Sequence, residues 1–192
     1  MILGIDPARD GAAVLYDPEM DIVDCVWSWK YRNRKKPIYE TKFTKFVKDK
    51  ILFRASWDLR DGGIIANKIA QECNDIYLGI EDAYVSRQNP RSGLRVARFG
   101  GELVGGISAN MRHDLKEVFW VTASDWRYQL LKVNPFTKRE QCKKISLTYI
   151  PELNETIKPH LEIHGYLDHV TDALGVALWT NNKLSSSERS LK

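Results

Sequence analysis

Apolar and polar positions divide this chain into short runs of contrasting period. MILGID, residues 1–6, is a continuous apolar stretch ending on a carboxylate and fits a buried strand. GAAVLYD and DIVDCVWSWK follow, and the turn around Pro18 predicts a hairpin between them. YRNRKKPIYETKFTKFVKDKILFR is basic, interleaved with aromatics and the least regular part of the chain; it reads as a loop followed by a helix. Asp61 begins DGGIIANKIAQEC, apolar at helical spacing, and IYLGIE returns to a strand. SGLRVARFGGELVGGISANM keeps helical periodicity although its small residues lower intrinsic helicity, as expected where a helix packs closely on a neighbour. EVFWVT is a fifth strand, with Ser124 or Asp125 placed to cap a short helix after it. Thr137 begins TKREQCKKISLTYI, a helix with basic residues on one side and Ile145, Leu147 and Ile150 towards the core. DHVTDALGVALWTNN is an amphipathic helix, and the polar tail at 183–192 is expected to be disordered. Three strands followed by alternating helices and strands predict one α/β layered domain over residues 1–182.

LGID at 3–6 is echoed by LGIE at 78–81. Alternate side chains of a strand share a face, so Gly4 lies on the face of Asp6 and Gly79 on that of Glu81. Each glycine clears space beside its acid. If the two strands are neighbours, the carboxylates meet at the strand ends and repel, and a hard divalent cation is the simplest compensation. A third contribution comes from DHVTDALGVALW, where Asp168 and His169 stand four and three residues before Asp172. On a helix all three can present to one side while Val170, Ala173, Leu174 and Ala177 fill much of the other. Asp168 also reads as an N-cap and His169 as a first-turn surface histidine. Asp172 has fewer ordinary explanations, because buried carboxylates are rare unless paired or metal-bound. Gly175 lets this helix approach its neighbour.

Composition narrows the picture further. At 192 residues and 43% hydrophobic content the chain suits a single domain with an ordinary core. Cys25, Cys73 and Cys142 are far apart and form neither CxxC nor Cys/His ligand spacing, so they read as isolated thiols of a reducing compartment. Met1 opens directly onto strand-like sequence, without a charged leader or a membrane-length apolar run. A soluble cytoplasmic protein is expected, in a bacterium or, for a viral gene, in its host, with no membrane partner and no organic cofactor. The net charge is only +4, yet Lys30–Arg60 holds eleven Lys or Arg against three acids, and Arg127–Lys144 six against one. Two such stretches suggest a polyanionic partner, although either alone could be a solvated face.

GIDPARDGAAVL, GIEDAYVSRQNPRSGLRVARFGGELVGGI and DHVTDALGVALW, in that order and at those separations, resemble the RuvC-like Holliday junction resolvases of the RNase H-like nuclease superfamily. The resemblance spans most of the chain and is weakest between Lys30 and Arg60. It implies an RNase H-like α/β fold, a five-stranded mixed sheet flanked by helices. It implies a homodimeric, Mg²⁺-dependent endodeoxyribonuclease, with Mn²⁺ able to substitute, that cuts four-way DNA junctions by paired phosphodiester hydrolysis. Asp6, Glu81 and Asp172 map to the metal-binding acids. His169 falls at a fourth position that different members fill with Asp or His, leaving Asp168 as a secondary candidate. In a two-metal site the ions lie ~3.5–4 Å apart, one helping to generate hydroxide and the other stabilising the leaving 3′ oxygen. Tyr84 matches an aromatic used against bases at the junction centre, and Arg87 can take the adjacent phosphate. Lys138 and Arg139 resemble the family's phosphate-contacting lysines, and Arg127 and Lys132 are further candidates for the DNA backbone. The chain departs from the pattern at Ala8, where GIDPG would place glycine, and in the basic insert after Lys30, which has no counterpart. The small-residue helix is a candidate dimer interface, intramolecular packing being the other reading.

An RNase H-like nuclease acting on flaps or other branched DNA in replication or packaging would share the acids and differ only in its surface. An actin-like phosphotransferase also begins Gly-Ile-Asp, but needs two lobes and a second glycine-rich loop that this sequence lacks. A DNA-binding protein without activity would gain by losing acids close to phosphate.

Overall fold

Strand β1 (Ile2–Asp6) is buried along its whole length, as its unbroken apolar run requires. The computed structural model describes residues 1–8, 10–32, 40–47, 50–57, 62–82, 90–111, 114–134, 137–138, 141–142, 144–145 and 167–190. β2 (Gly11–Asp17) and β3 (Ile22–Arg32) form the expected antiparallel hairpin. At its turn Asp17 Oδ1 accepts the amides of Glu19 and Met20, and Asp21 takes the left-handed backbone (φ 53°) that aspartate tolerates. β6 (Ile76–Asp82) lies parallel to β1 on its other side, and β7 (Leu115–Thr122) parallel to β6. These five strands, in the order β3-β2-β1-β6-β7, make the expected five-stranded mixed sheet.

The basic segment after Lys30 does not form the expected loop and helix. β3 runs on to Arg32 and is followed by an antiparallel hairpin, β4 (Glu40–Val47) and β5 (Lys50–Trp57), which widens the sheet to seven strands among the described residues. The three-residue spacing of Phe43 and Phe46 imitates a helical face. In the strand it sets them on opposite faces, one opposite Trp29 and the other opposite Val26.

Helices cover both sides of the sheet. α1 (Gly62–Ala70) and α2 (Pro90–Asn110) bury Ile65, Ile69, Leu103 and Ile107 against Leu3, Ile5, Trp27, Trp29 and Ile80. Pro90 opens α2 at the first helical position, where its missing amide costs nothing. α3 (Ala123–Leu131) is capped by Thr122, the last residue of β7, whose hydroxyl accepts from Asp125 N; the expected cap was Ser124 or Asp125, two or three residues later. α4 (Leu167–Ser190) packs Val170, Ala173, Leu174 and Ala177 over Ile2, Ala12, Val14 and Val26 on the opposite face. It continues through the segment expected to be a disordered tail. Leu184 packs against the core there, and the hydroxyls of Ser186 and Ser187 return to the carbonyls of Asn182 and Lys183, so its serines bond within the helix. The helix expected from Thr137 falls mostly outside the described residues, although Gln141 and Cys142 both donate their amides to Lys138 O. Cys25, Cys73 and Cys142 are buried and form no disulfide among the described residues.

Candidate active site

The echo of LGID in LGIE becomes a spatial pair. β1 and β6 are adjacent and parallel, with Gly4 opposite Gly79 and Ile5 opposite Ile80, so Asp6 and Glu81 follow as neighbours at the carboxyl edge of the sheet. The space cleared by each glycine is occupied by α4. A methyl at Gly4 would run into Ala173 O and stand 2.6 Å from Ala177 N; at Gly79 it would meet Thr180 Oγ1 and lie 2.9 Å from Val176 Cγ1. The glycines thus let the backbone of α4 lie directly on both strands, which carries the first turns of the helix to the carboxylates. Gly175 gives the same helix room against the indole of Trp126 on α3.

Each acid has its own partner. Asp6, 5% exposed, accepts Ala8 N at 3.1 Å on Oδ1 and meets His169 Nδ1 at 2.8 Å on Oδ2. Glu81 Oε2 accepts the indole N–H of Trp126 at 2.9 Å. Asp172 Oδ1 accepts Arg127 Nη2 at 2.8 Å in a largely buried ion pair, and the guanidinium also stands over the Trp126 ring, 4.9 Å from its centroid. The Nε–H of Arg127 is buried without a partner among the described residues. Ala8 needs no glycine in this turn. Its backbone is not left-handed, its carbonyl accepts Trp29 Nε1, and the tight approach falls at Gly11, where a methyl would stand 2.7 Å from Ala8 O.

The electrostatics follow from three carboxyls sharing a partly dry pocket. Burial first, then the charges of Asp6 and Asp172, push the Glu81 carboxyl up to about 8, against the opposing pull of Trp126 N–H and Arg127. Asp172 is also raised, by burial foremost and by Asp6, although Arg127 opposes this. For His169 burial acts downward as the largest single influence, but the hydrogen bond to Asp6 and the charges of Asp6, Asp172 and Asp10 together outweigh it and raise its pKa. The pocket holds more negative potential than its one guanidinium neutralises.

Oxygen donors with one imidazole suit a hard divalent cation, and mutual repulsion at Glu81 is what such an ion would relieve. Among the described residues, however, no three carboxylate, histidine or cysteine side chains converge on one point as they lie. Asp6 is turned to His169, Glu81 to Trp126 and Asp172 to Arg127.

Four expected site residues, Asp6, Glu81, His169 and Asp172, are therefore brought together. Asp168 falls inside the first turn of α4 rather than at its cap. Arg127, expected on the DNA backbone, is folded into the acid cluster. Lys132 is exposed, terminates α3 in a left-handed conformation (φ 53°) and donates to Gln129 O. Lys138 is exposed. Tyr84, Arg87 and Arg139 lie outside the described residues. Sequence reasoning missed Trp126 and Asp10. Nothing in the spacing of TASDW marks its tryptophan as a donor to Glu81, whereas Asp10, four residues after Asp6, belongs to the same turn and was open to suspicion.

No family model matches the chain, and no curated protein matches it. Among solved structures it is similar to Thermus thermophilus RuvC, over 93% of this chain and 90% of that one, at 11% identity and a TM-score of 0.41. No described helix is long and apolar enough to cross a membrane.

Proposed function

We propose that this protein is a metal-dependent endodeoxyribonuclease that resolves four-way DNA junctions as a homodimer. The observation that carries the reading is the meeting of Asp6 and Glu81, from adjacent parallel strand ends, with His169 and Asp172 of α4 in a pocket short of positive charge. Asp6, Glu81 and Asp172, with His169, would hold Mg²⁺ or Mn²⁺, which supplies Lewis-acid activation of water and stabilisation of the charge developing on the phosphate. With the Nδ1 proton directed to Asp6 Oδ2, Nε2 of the neutral ring would be left either to bind the ion or to orient the attacking water. The short contact to Asp6 fixes the ring's tautomer and direction. Trp126 holds Oε2 of Glu81, so Oε1 would be the oxygen offered to the ion. Two equivalent strands of a four-way junction call for two matched sites, which a two-fold dimer provides. Tyr84 and Arg87, a few residues beyond Glu81, are the proposed contacts to an unstacked base and its phosphate.

The test is cleavage of labelled four-way junction, flap and linear duplex with and without magnesium. Asp6→Asn, Glu81→Gln and Asp172→Asn should each abolish cutting while junction binding persists, because each removes site charge and leaves phosphate contacts alone. Retained cleavage in any two of them defeats the assignment. Junction and flap cut equally well would move the protein to the broader class of branched-DNA nucleases acting in replication or packaging.

A further inference from the structure

The added hairpin has two chemically different faces, and the strand register assigns them. Across the sheet the row through Asp6 reads Ala12, Ser28, Thr44 and Arg54. Two residues farther towards the carboxyl end of β3, the row reads Lys30, Lys42 and Ser56, and beyond it Arg32 pairs with Glu40. By strand alternation these positions share the face of Asp6. The opposite face takes Trp29, Phe43 and Ala55 in one row, Trp27, Lys45 and Phe53 in the next, and Tyr31, Thr41 and Trp57 in a third. One face therefore holds four basic positions, Lys30, Arg32, Lys42 and Arg54, against the single acid Glu40. The other is mainly aromatic, with two lysine positions, Lys45 and, opposite Val47, Lys50.

α4, the helix on the Asp6 face, packs on β1, β2 and β6 and reaches β3 only slightly; no described helix packs substantially on β4 or β5. Strands stand ~4.8 Å apart, so β4 and β5 lie roughly 14 and 19 Å from β1 along the sheet. The basic positions begin about two strands from the acid cluster and extend away from it.

We propose that the Asp6 face of the β4–β5 hairpin, with the end of β3, is a docking strip for the phosphate backbone of a DNA arm leaving the active site. Charge decides the occupant, since a row of cations on a sheet face beside a phosphodiester-cutting pocket matches a polyanion that must pass that pocket. This rests on the DNA-cleavage reading above and adds to it where the substrate arm lies. The hairpin would extend the footprint sideways without touching the chemistry.

The experiment uses the full chain and a fluorescent four-way junction, with binding measured by anisotropy in EDTA over a range of salt concentrations. Lys30→Gln/Lys42→Gln/Arg54→Gln should lower affinity tenfold or more near physiological salt and reduce the slope of log K against log salt by about 2 to 3. Lys42→Gln alone should reduce the slope by about 1, whereas Lys45→Gln, on the aromatic face of the same strand, should leave it unchanged. Thermal unfolding checks that each variant folds, and the single substitutions keep the comparison open if the triple does not. If parent and triple variant share the same slope while the parent binds and cuts junctions, the strip is refuted and the nuclease stands. Equal effects of Lys42→Gln and Lys45→Gln would refute the face assignment. A triple variant with unchanged junction binding but lost binding to poly-glutamate would overturn the proposal in favour of an acidic protein partner. A parent that neither binds nor cuts DNA overturns both readings together.

Discussion

Gly4→Ala tests whether the glycine before each strand-end acid exists to seat α4. The added methyl would stand 2.6 Å from Ala177 N and 2.8 Å from Ala177 Cβ, and closer still to Ala173 O. Ordinary contact lies near ~3.5 Å, so α4 must retreat by roughly 1 Å. The obstructing atoms are mostly helix backbone, which has no rotamer in which to escape. Overpacking of this kind costs about 1–3 kcal/mol, and the upper end applies here. In a chain of this size that corresponds to a melting temperature lower by roughly 5–10 °C. The same retreat displaces His169 and Asp172 from Asp6, and a misplacement of ~1 Å at a catalytic constellation is worth about a hundredfold in rate. Gly101→Ala supplies the contrast, because a methyl there meets nothing within 4 Å. It should stabilise the protein by about 0.5–1 kcal/mol through helix propensity and leave cleavage untouched. Calorimetry and junction cleavage, run on both variants below the lower melting point, decide the matter. A Gly4→Ala protein that melts with the parent, or that is destabilised yet cuts at the parental rate, refutes the seating argument.

Three further outcomes follow from the site. With its folded pKa pushed up to about 8, Glu81 binds a proton in the folded chain that the unfolded chain releases above about 4.5; its contribution therefore weakens as pH climbs between those values. The raised Asp172 shares that sign, and the raised His169 contributes fully below about 6.5 and loses its contribution as pH passes its folded value. In chelator the denaturation midpoint should fall from about pH 5 to about pH 9, and Mg²⁺ or Mn²⁺ should restore more stability at the alkaline end; a midpoint that rises with pH contradicts the charge balance. His169→Ala should slow cleavage strongly and His169→Asp should recover part of it, whereas an unchanged rate in His169→Ala removes the residue from the chemistry and leaves Asp168 to be tried. Trp126→Phe keeps most of the packing under Gly175 but removes the N–H on Glu81, so the Glu81 carboxyl, followed by carbon NMR, should titrate higher than in the parent. A lower titration would mean that the indole does not support the ionised form.

The sequence carried the sheet core and the four clustered acid and histidine residues because both depend on parity. A period of two puts Gly4 with Asp6 and Gly79 with Glu81, and a period near 3.6 puts His169 with Asp172, before any tertiary contact is known. What stayed hidden depends on partners distant in sequence. Arg127 reads as one more basic residue in a basic stretch, yet Asp172, 45 positions later, claims its guanidinium. Whether a cation faces solvent or a desolvated carboxylate is settled by how α3 lies on α4, and charge counting has no access to that. The same reason hid Trp126, whose nearest cue is a glycine on another helix, Gly175, that makes room for its ring. The hairpin was hidden differently. Its aromatics repeat at an interval that suits a helix, and only pairing with β3, whose Trp27 and Trp29 already belong to the core, selects the strand. That selection has a chemical result, because it gathers Lys30, Lys42 and Arg54 on the Asp6 face and sets Lys45 among the aromatics of the other. In a helix those cations would have been distributed around its circumference; as strands they share one face of the sheet, starting about two strands from the acid cluster.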